Sequence, residues 1–100
     1  MKKHVLENQT LTLFLMGELN SFNADDEEKK IESIIEGKEL SSIIIDMGEL
    51  TYISSAGLRI IARIRQRYDD VTLINVPESI FHILDMVGFQ NLMRIQKRDE

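Results

Sequence analysis

The sequence predicts an α/β domain, with a mixed, mostly parallel sheet of about five strands in the order ββαβαβαβ, flanked by helices. Three observations carry that prediction. Runs rich in β-branched and aliphatic residues, at 10–16, 43–45 and 71–76, alternate with stretches whose apolar residues recur at helical spacing. Glycine, proline or a hydroxyl residue stands at the junctions, as at Gly17, Gly37, Ser54, Pro77 and Gly88. A length of 100 residues with 43% apolar and 29% charged content fits one globular domain over 1–100, with a single core and no repeat or internal linker.

Residues 3–7 fit a short edge strand with Val5 as its strong β former, and Asn8-Gln9 reads as a hairpin turn into a strand at 10–16, which Gly17 ends. Asn23 is placed as the N-cap of the first helix, with Asp26 in the capping-box position and acidic residues 25–28 at the favourable end of the dipole. Ile31, Ile34 and Ile35 give its sheet-facing stripe, and Gly37 its C′ residue. The first half of this helix is polar all round, which fits an exposed end or an acidic recognition surface. The unbroken run Ile43-Ile44-Ile45 reads as a strand buried on both faces, closed by Asp46, with 47–53 as a connection. After Ser55 a second helix carries a core stripe of Leu58, Ile60, Ile61, Ile64 or Arg65, and Tyr68. Asp69-Asp70 reads as a turn before the strand at 71–76. Pro77 suits the first turn of a third helix, whose apolar face is Ile80, Phe81, Ile83, Leu84 and Val87 and which stops at Gly88. Residues 92–95 form a last strand and 96–100 a polar tail. Crossovers from the third strand onward should be right-handed and parallel, with functional loops at the carboxyl ends of the strands, where 46–55 falls.

Ser54-Ser55 stands where a helix begins, so free backbone N–H groups and the dipole favour an acceptor or an anion there. Taken alone, this fits either a plain helix cap or an exposed hydroxyl open to modification. Arg59, Arg63 and Arg67 share a helix face at i, i+4 spacing with Arg65 nearby, a solvated face or a docking ridge for an acidic partner.

The segment Asp46-x-Gly48-x-Leu50-Thr51-Tyr52-Ile53-Ser54-Ser55-Ala56-Gly57-Leu58 resembles the signature of the STAS domain, the fold of bacterial anti-sigma factor antagonists. Gly17-Glu18-Leu19-Asn20 resembles the family's turn into its first helix, and Pro77-x6-Leu84-x3-Gly88 its penultimate helix. The resemblance implies that Ser55 is phosphorylated by a partner serine kinase, itself the anti-sigma factor, and that a serine phosphatase can reverse the change. It implies that the unphosphorylated chain sequesters that kinase and frees a sigma factor. It also implies a partner-binding surface at Asn20, Asp46, Ser54, Ser55, Ala56 and Gly57, to which the arginine ridge would add Arg59 and Arg63. Three positions depart from the family's pattern. Ser54 replaces a common aspartate and becomes a second candidate acceptor, Asn20 stands where aspartate is frequent, and Ala56 replaces a hydroxyl residue and so cannot be an acceptor. Many members also continue into a further C-terminal helix. The residues after 95 leave no room for a full one, so one sheet face is expected to be less covered and open to dimerisation.

A net charge of −5 argues against nucleic acid as the main partner. Cysteine is absent, which removes disulfides and cysteine metal sites and fits a reducing compartment. The basic start Met1-Lys2-Lys3 is followed by no apolar signal core, and no run approaches the roughly eighteen apolar residues of a membrane span, so a cytoplasmic protein is expected. No phosphate-binding, dinucleotide or zincin motif occurs, and no cofactor or metal is expected. Ser55, His82 and Asp46 could be written as a hydrolase triad, but the sequence before Ser55 lacks the first glycine of the nucleophile elbow, so catalysis is not expected. A STAS module serving a signalling pathway without a sigma factor is the alternative to the antagonist.

Overall fold

The structure, a computed structural model, describes residues 3–99. Met1, Lys2 and Glu100, assigned above to a basic start and a polar tail, lie outside them. The elements are β1 (Lys3–Glu7), β2 (Thr10–Leu19), α1 (Ala24–Ile35), β3 (Ser42–Ile53), α2 (Ser55–Arg67), β4 (Val71–Val76), α3 (Glu78–Met86) and β5 (Arg94–Lys97), with a short 3₁₀ turn at Phe89–Asn91 before the last strand. The sheet order is β1-β2-β3-β4-β5, antiparallel between β1 and β2 and parallel elsewhere, which is the mixed α/β sheet expected. Asn8 and Gln9 both take left-handed conformations, with φ of 50° and 67°, so the first hairpin closes through a two-residue turn with the twist that a hairpin favours. No helix among the described residues is long and apolar enough to cross a membrane.

From β2 onward each crossover steps to the next strand in the same direction. Right-handed crossovers of that kind bring α1, α2 and α3 to one face of the sheet. Burial agrees: Leu11, Leu13, Ile43, Ile45, Val71 and Leu73 share one core with Ile31 and Ile35 of α1, Ile61 and Ile64 of α2, and Ile80 and Leu84 of α3. Thr12, Phe14, Ile44, Thr72 and Ile74, whose side chains alternate to the other face, are only half-buried. The run Ile43-Ile44-Ile45 is therefore not buried on both faces, because no helix among the described residues covers the side to which Ile44 points.

Two strands run further than the sequence suggests. β2 does not end at Gly17 but passes through it, at φ +74°, to Leu19. β3 does not end at Asp46, and residues 47–53 are not a connection but strand, paired with β2 as far as Leu19 and Ile53. Between the pairs Phe14–Asp46 and Met16–Glu49, and again between Gly17–Leu50 and Glu18–Tyr52, β3 spends one more residue than β2. These bulges turn the strand so that Met47, Leu50 and Ile53 enter the core at three-residue spacing, a period that does not read as a strand.

The start of α1 also differs. Asn23 occupies the N-cap position, but its side chain makes no capping bond, and the box with Asp26 does not form. Instead its Oδ1 accepts from the Asn20 N–H at 2.9 Å and its Nδ2 donates to the Glu18 carbonyl at 2.8 Å. The helix start is not exposed all round, because Ala24 and Glu27 are buried, Glu27 with Lys30 Nζ at 3.2 Å. Gly37 closes the helix at φ +76°, as its position predicts. β5 begins at Arg94 rather than Leu92, since the 3₁₀ turn and the buried Met93 occupy the preceding residues.

Candidate functional site

The extended β2 and β3 deliver their ends, side by side, to the start of α2. The Ser54 N–H donates to the Leu19 carbonyl at 2.9 Å, which fixes the last residue before the helix against β2. Ser54 is extended, and its Oγ accepts from the Gly57 N–H at 3.3 Å, so Ser54 is the cap. Ser55 is the first helical residue. Its side chain is exposed and makes no hydrogen bond among the described residues. Gly57 is buried, and a Cβ there would stand 2.8 Å from Ile53 Cγ1 and 2.9 Å from Leu19 Cγ. The glycine therefore lets the helix start press onto the strand ends, and its close approach is to its own chain. Ala56 is half-buried against the same core.

The polar residues predicted around Ser55 are largely committed to the fold. Asn20 Oδ1 accepts from the N–H groups of Phe22 (2.9 Å) and Asn23 (3.0 Å), and its Nδ2 donates to Glu18 Oε1 at 3.2 Å, so it shapes the turn between β2 and α1. Asp46 lies within β3, where Oδ1 accepts from the Gly48 N–H and Oδ2 from Asn75 Nδ2, both at 2.9 Å. It thereby holds the β3 bulge to the end of β4, where Asn75 takes a left-handed φ of 54°. His82 is exposed on α3 with Glu78 at 3.2 Å, so His82 and Asp46 have separate partners and no hydrogen bond among the described residues joins either to Ser55.

The arginine face resolves in the same way. Arg63 donates to both carboxylate oxygens of Glu28, at 2.8 and 2.9 Å, and Arg67 to both of Glu32, at 2.6 and 2.7 Å. The hydrogen-bonded Glu32 carboxylate holds the Arg67 guanidinium above its ordinary pKa. Arg65 donates to the carbonyls of Leu92 (2.7 Å) and Tyr68 (3.2 Å). What reads as one basic ridge on α2 is thus mostly a clamp onto α1 and onto the turn before β5. Arg59 is exposed, and among the described residues no hydrogen bond or ion pair engages it. Of the polar residues predicted at the site, Ser55 and Arg59 alone keep uncommitted side chains.

Those two side chains open onto one shallow cavity of 260 Å³, lined also by Leu58, Ala62, Val87 and Phe89. Val87 and Phe89 were not among the predicted site residues. Val87 reads as part of the α3 core stripe, yet α3 ends at Met86 and leaves it 51% exposed. Phe22, also missed, is 94% exposed in the turn after β2, at the same end of the sheet. A phenylalanine set between Ser21 and Asn23, away from any apolar periodicity, is the signal that could have found it. A larger cavity of 410 Å³, between Gly48 to Thr51 and Pro77, Ser79 and Arg98, does not include Ser55.

Comparison with known proteins agrees with this fold. Residues 3–99 match the STAS domain. A candidate anti-sigma factor antagonist of Bordetella bronchiseptica, BtrV, is 28% identical over 90 residues, which cover 86% of this chain and 77% of that protein. A candidate anti-sigma factor antagonist of Thermotoga maritima superposes with a TM-score of 0.84 at 18% identity, covering 95% of this chain and 85% of that one. SpoIIAA of Bacillus, an anti-sigma factor antagonist, superposes in its unphosphorylated form with a TM-score of 0.73 at 19% identity, covering 93% of this chain and 85% of its own. With a family match running from the first described strand to the last, and the expected sheet beneath it, this chain belongs to the STAS domain family.

Proposed function

We propose that this protein is an anti-sigma factor antagonist switched at Ser55. Unphosphorylated, it binds a serine-kinase anti-sigma factor and so frees a sigma factor. Phosphorylated, it releases that kinase, until a serine phosphatase hydrolyses the ester. This action belongs in the cytoplasm, where sigma factors work. The observation that carries the reading is the division of labour between the two serines: Ser54 caps the helix, which leaves the Ser55 hydroxyl exposed and unengaged. The antagonist names of the relatives support the same reading.

The chemistry is a phosphoryl transfer. Ser55 Oγ attacks the γ-phosphorus of kinase-bound ATP, the bond to the β-phosphate oxygen breaks, ADP leaves, and the hydroxyl proton passes to a base on the kinase. The product carries roughly −1.5 to −2 charges at a helix N-terminus, where free N–H groups and the dipole tolerate it, so the fold needs no rearrangement. A partner surface packed on the neutral hydroxyl would instead have to bury the added negative charge. A loss of about 4 kcal/mol on that account weakens binding about a thousandfold.

The test is to incubate the chain with ATP and its serine-kinase partner and to map the phosphate by mass spectrometry. Phosphate on Ser55, abolished in Ser55→Ala, is the expected result. Phosphate on Ser54 alone, or none, would overturn the assignment.

A further inference from the structure

On the reading that Ser55 takes a phosphate, we propose that Arg59 is that phosphate's counter-ion within the chain. Phosphorylation then adds an anion to the surface and withdraws a cation from it in one step. Ser55 is the first residue of α2 and Arg59 lies four residues on, the spacing at which two helix side chains meet, with the acidic group on the N-terminal side as the dipole prefers. The other α2 arginines are committed: Arg63 to Glu28, Arg67 to Glu32, and Arg65 to the carbonyls of Leu92 and Tyr68. Arg59 is also the one charged residue lining the cavity onto which Ser55 opens, whose remaining walls are Leu58, Ala62, Val87 and Phe89. The immediate neighbours Ser54 and Ala56 bring no carboxylate to compete for it, and Glu18, the acid near the end of β2, is hydrogen-bonded to Asn20.

The guanidinium therefore has two successive uses. With Ser55 bare, it is available to a carboxylate of a docking partner at the rim of an apolar cavity. With Ser55 phosphorylated, it folds back onto its own helix and pairs with the phosphate, and the cavity mouth is closed by an internal ion pair. Exclusion of the partner then rests on loss of the docking cation and covering of the apolar floor as well as on the added charge.

The test uses the full chain with phosphoserine genetically encoded at position 55, so that no kinase is needed, and follows the phosphate by phosphorus NMR across a pH titration. Arg59 favours the dianion and so lowers the second phosphate pKa. Arg59→Gln is expected to raise it by about 0.4 pH unit, the equivalent of a helix pair of about 0.5 kcal/mol at 1.36 kcal/mol per unit. Arg63→Gln, whose guanidinium is held by Glu28, is expected to leave it unchanged. An unaltered pKa in Arg59→Gln, or an equal rise in Arg63→Gln, would overturn the proposal. Failure of a kinase to modify Ser55 would count against the proposed function, whereas the phosphate pKa in Arg59→Gln tests the counter-ion alone.

Discussion

Adjacent serines at one helix start do opposite things. Ser54 Oγ faces back onto the Gly57 N–H, while Ser55, one position later, points its hydroxyl outward. The stability cost of losing each hydroxyl separates the roles. Ser54→Ala is expected to lower the free energy of unfolding by about 1 kcal/mol, the usual cost of a lost cap, while Ser55→Ala stays within about 0.5 kcal/mol of the parent. Urea denaturation at a common slope checks both values. A larger loss in Ser55→Ala would reverse the roles and return Ser55 to the fold. Cost-free removal is what a regulatory hydroxyl requires, because its chemistry must change without unfolding the domain around it.

At the scale of elements, the arginine clamp is the feature that joins fold to site. Arg63 and Arg67 reach from α2 to Glu28 and Glu32 on α1, while the buried Gly57, Ile60, Ile61 and Ile64 turn the other face of α2 to the core and Ser55 and Arg59 line the cavity. These pairs are partly exposed, so each is a modest contribution. A double-mutant cycle of Glu28→Gln and Arg63→Gln is expected to give a coupling of about 0.2–1 kcal/mol that shrinks in high salt. Coupling near zero at low salt would remove the clamp. The raised pKa of Arg67 adds no pH dependence in the ordinary range: its stabilisation is fully present below the arginine's unfolded pKa and fades only at still more alkaline pH.

Much of this level was legible beforehand. The hairpin at Asn8-Gln9, the stop at Gly37 and the capped start of α2 follow from local chemistry that needs no partner, while Pro77 stands one residue before α3 rather than in its first turn. The errors share a different cause. Residues 47–53 hid as a connection because two bulges replace the alternation of a strand with three-residue spacing. Asn23 satisfies the turn behind it rather than the helix ahead, because Asn20 is within reach of both. The arginines read as a free ridge because their glutamate partners lie 35 residues away, on another helix. Asp46 likewise needed Asn75, 29 residues on, to show that it holds two strands together. Ser55 and Arg59 can be singled out from the sequence because their chemistry is local, whereas Val87 and Phe89 cannot, because a cavity exists only after packing.

For the whole molecule, strand order decides the architecture. Three helices on one face share one core, and the opposite face is left half-covered by Thr12, Phe14, Ile44, Thr72 and Ile74. With a single core joining every helix to the sheet, unfolding is expected to be one cooperative transition. Far-ultraviolet circular dichroism and the fluorescence of Tyr52 and Tyr68, in a chain without tryptophan, should then give coincident midpoints. Separate midpoints would show that the surroundings of the two tyrosines, in β3 and at the end of α2, melt apart from the rest of the domain. A domain whose fold leaves the Ser55 hydroxyl open can be switched by charge alone, and the central claim is that Ser55 is that switch. The most direct measurement is the affinity of the serine-kinase anti-sigma factor for the full chain with Ser55 bare and with Ser55 phosphorylated. The account predicts tight binding of the bare form and about a thousandfold weaker binding of the phosphorylated one. Equal affinity for the two forms would contradict it.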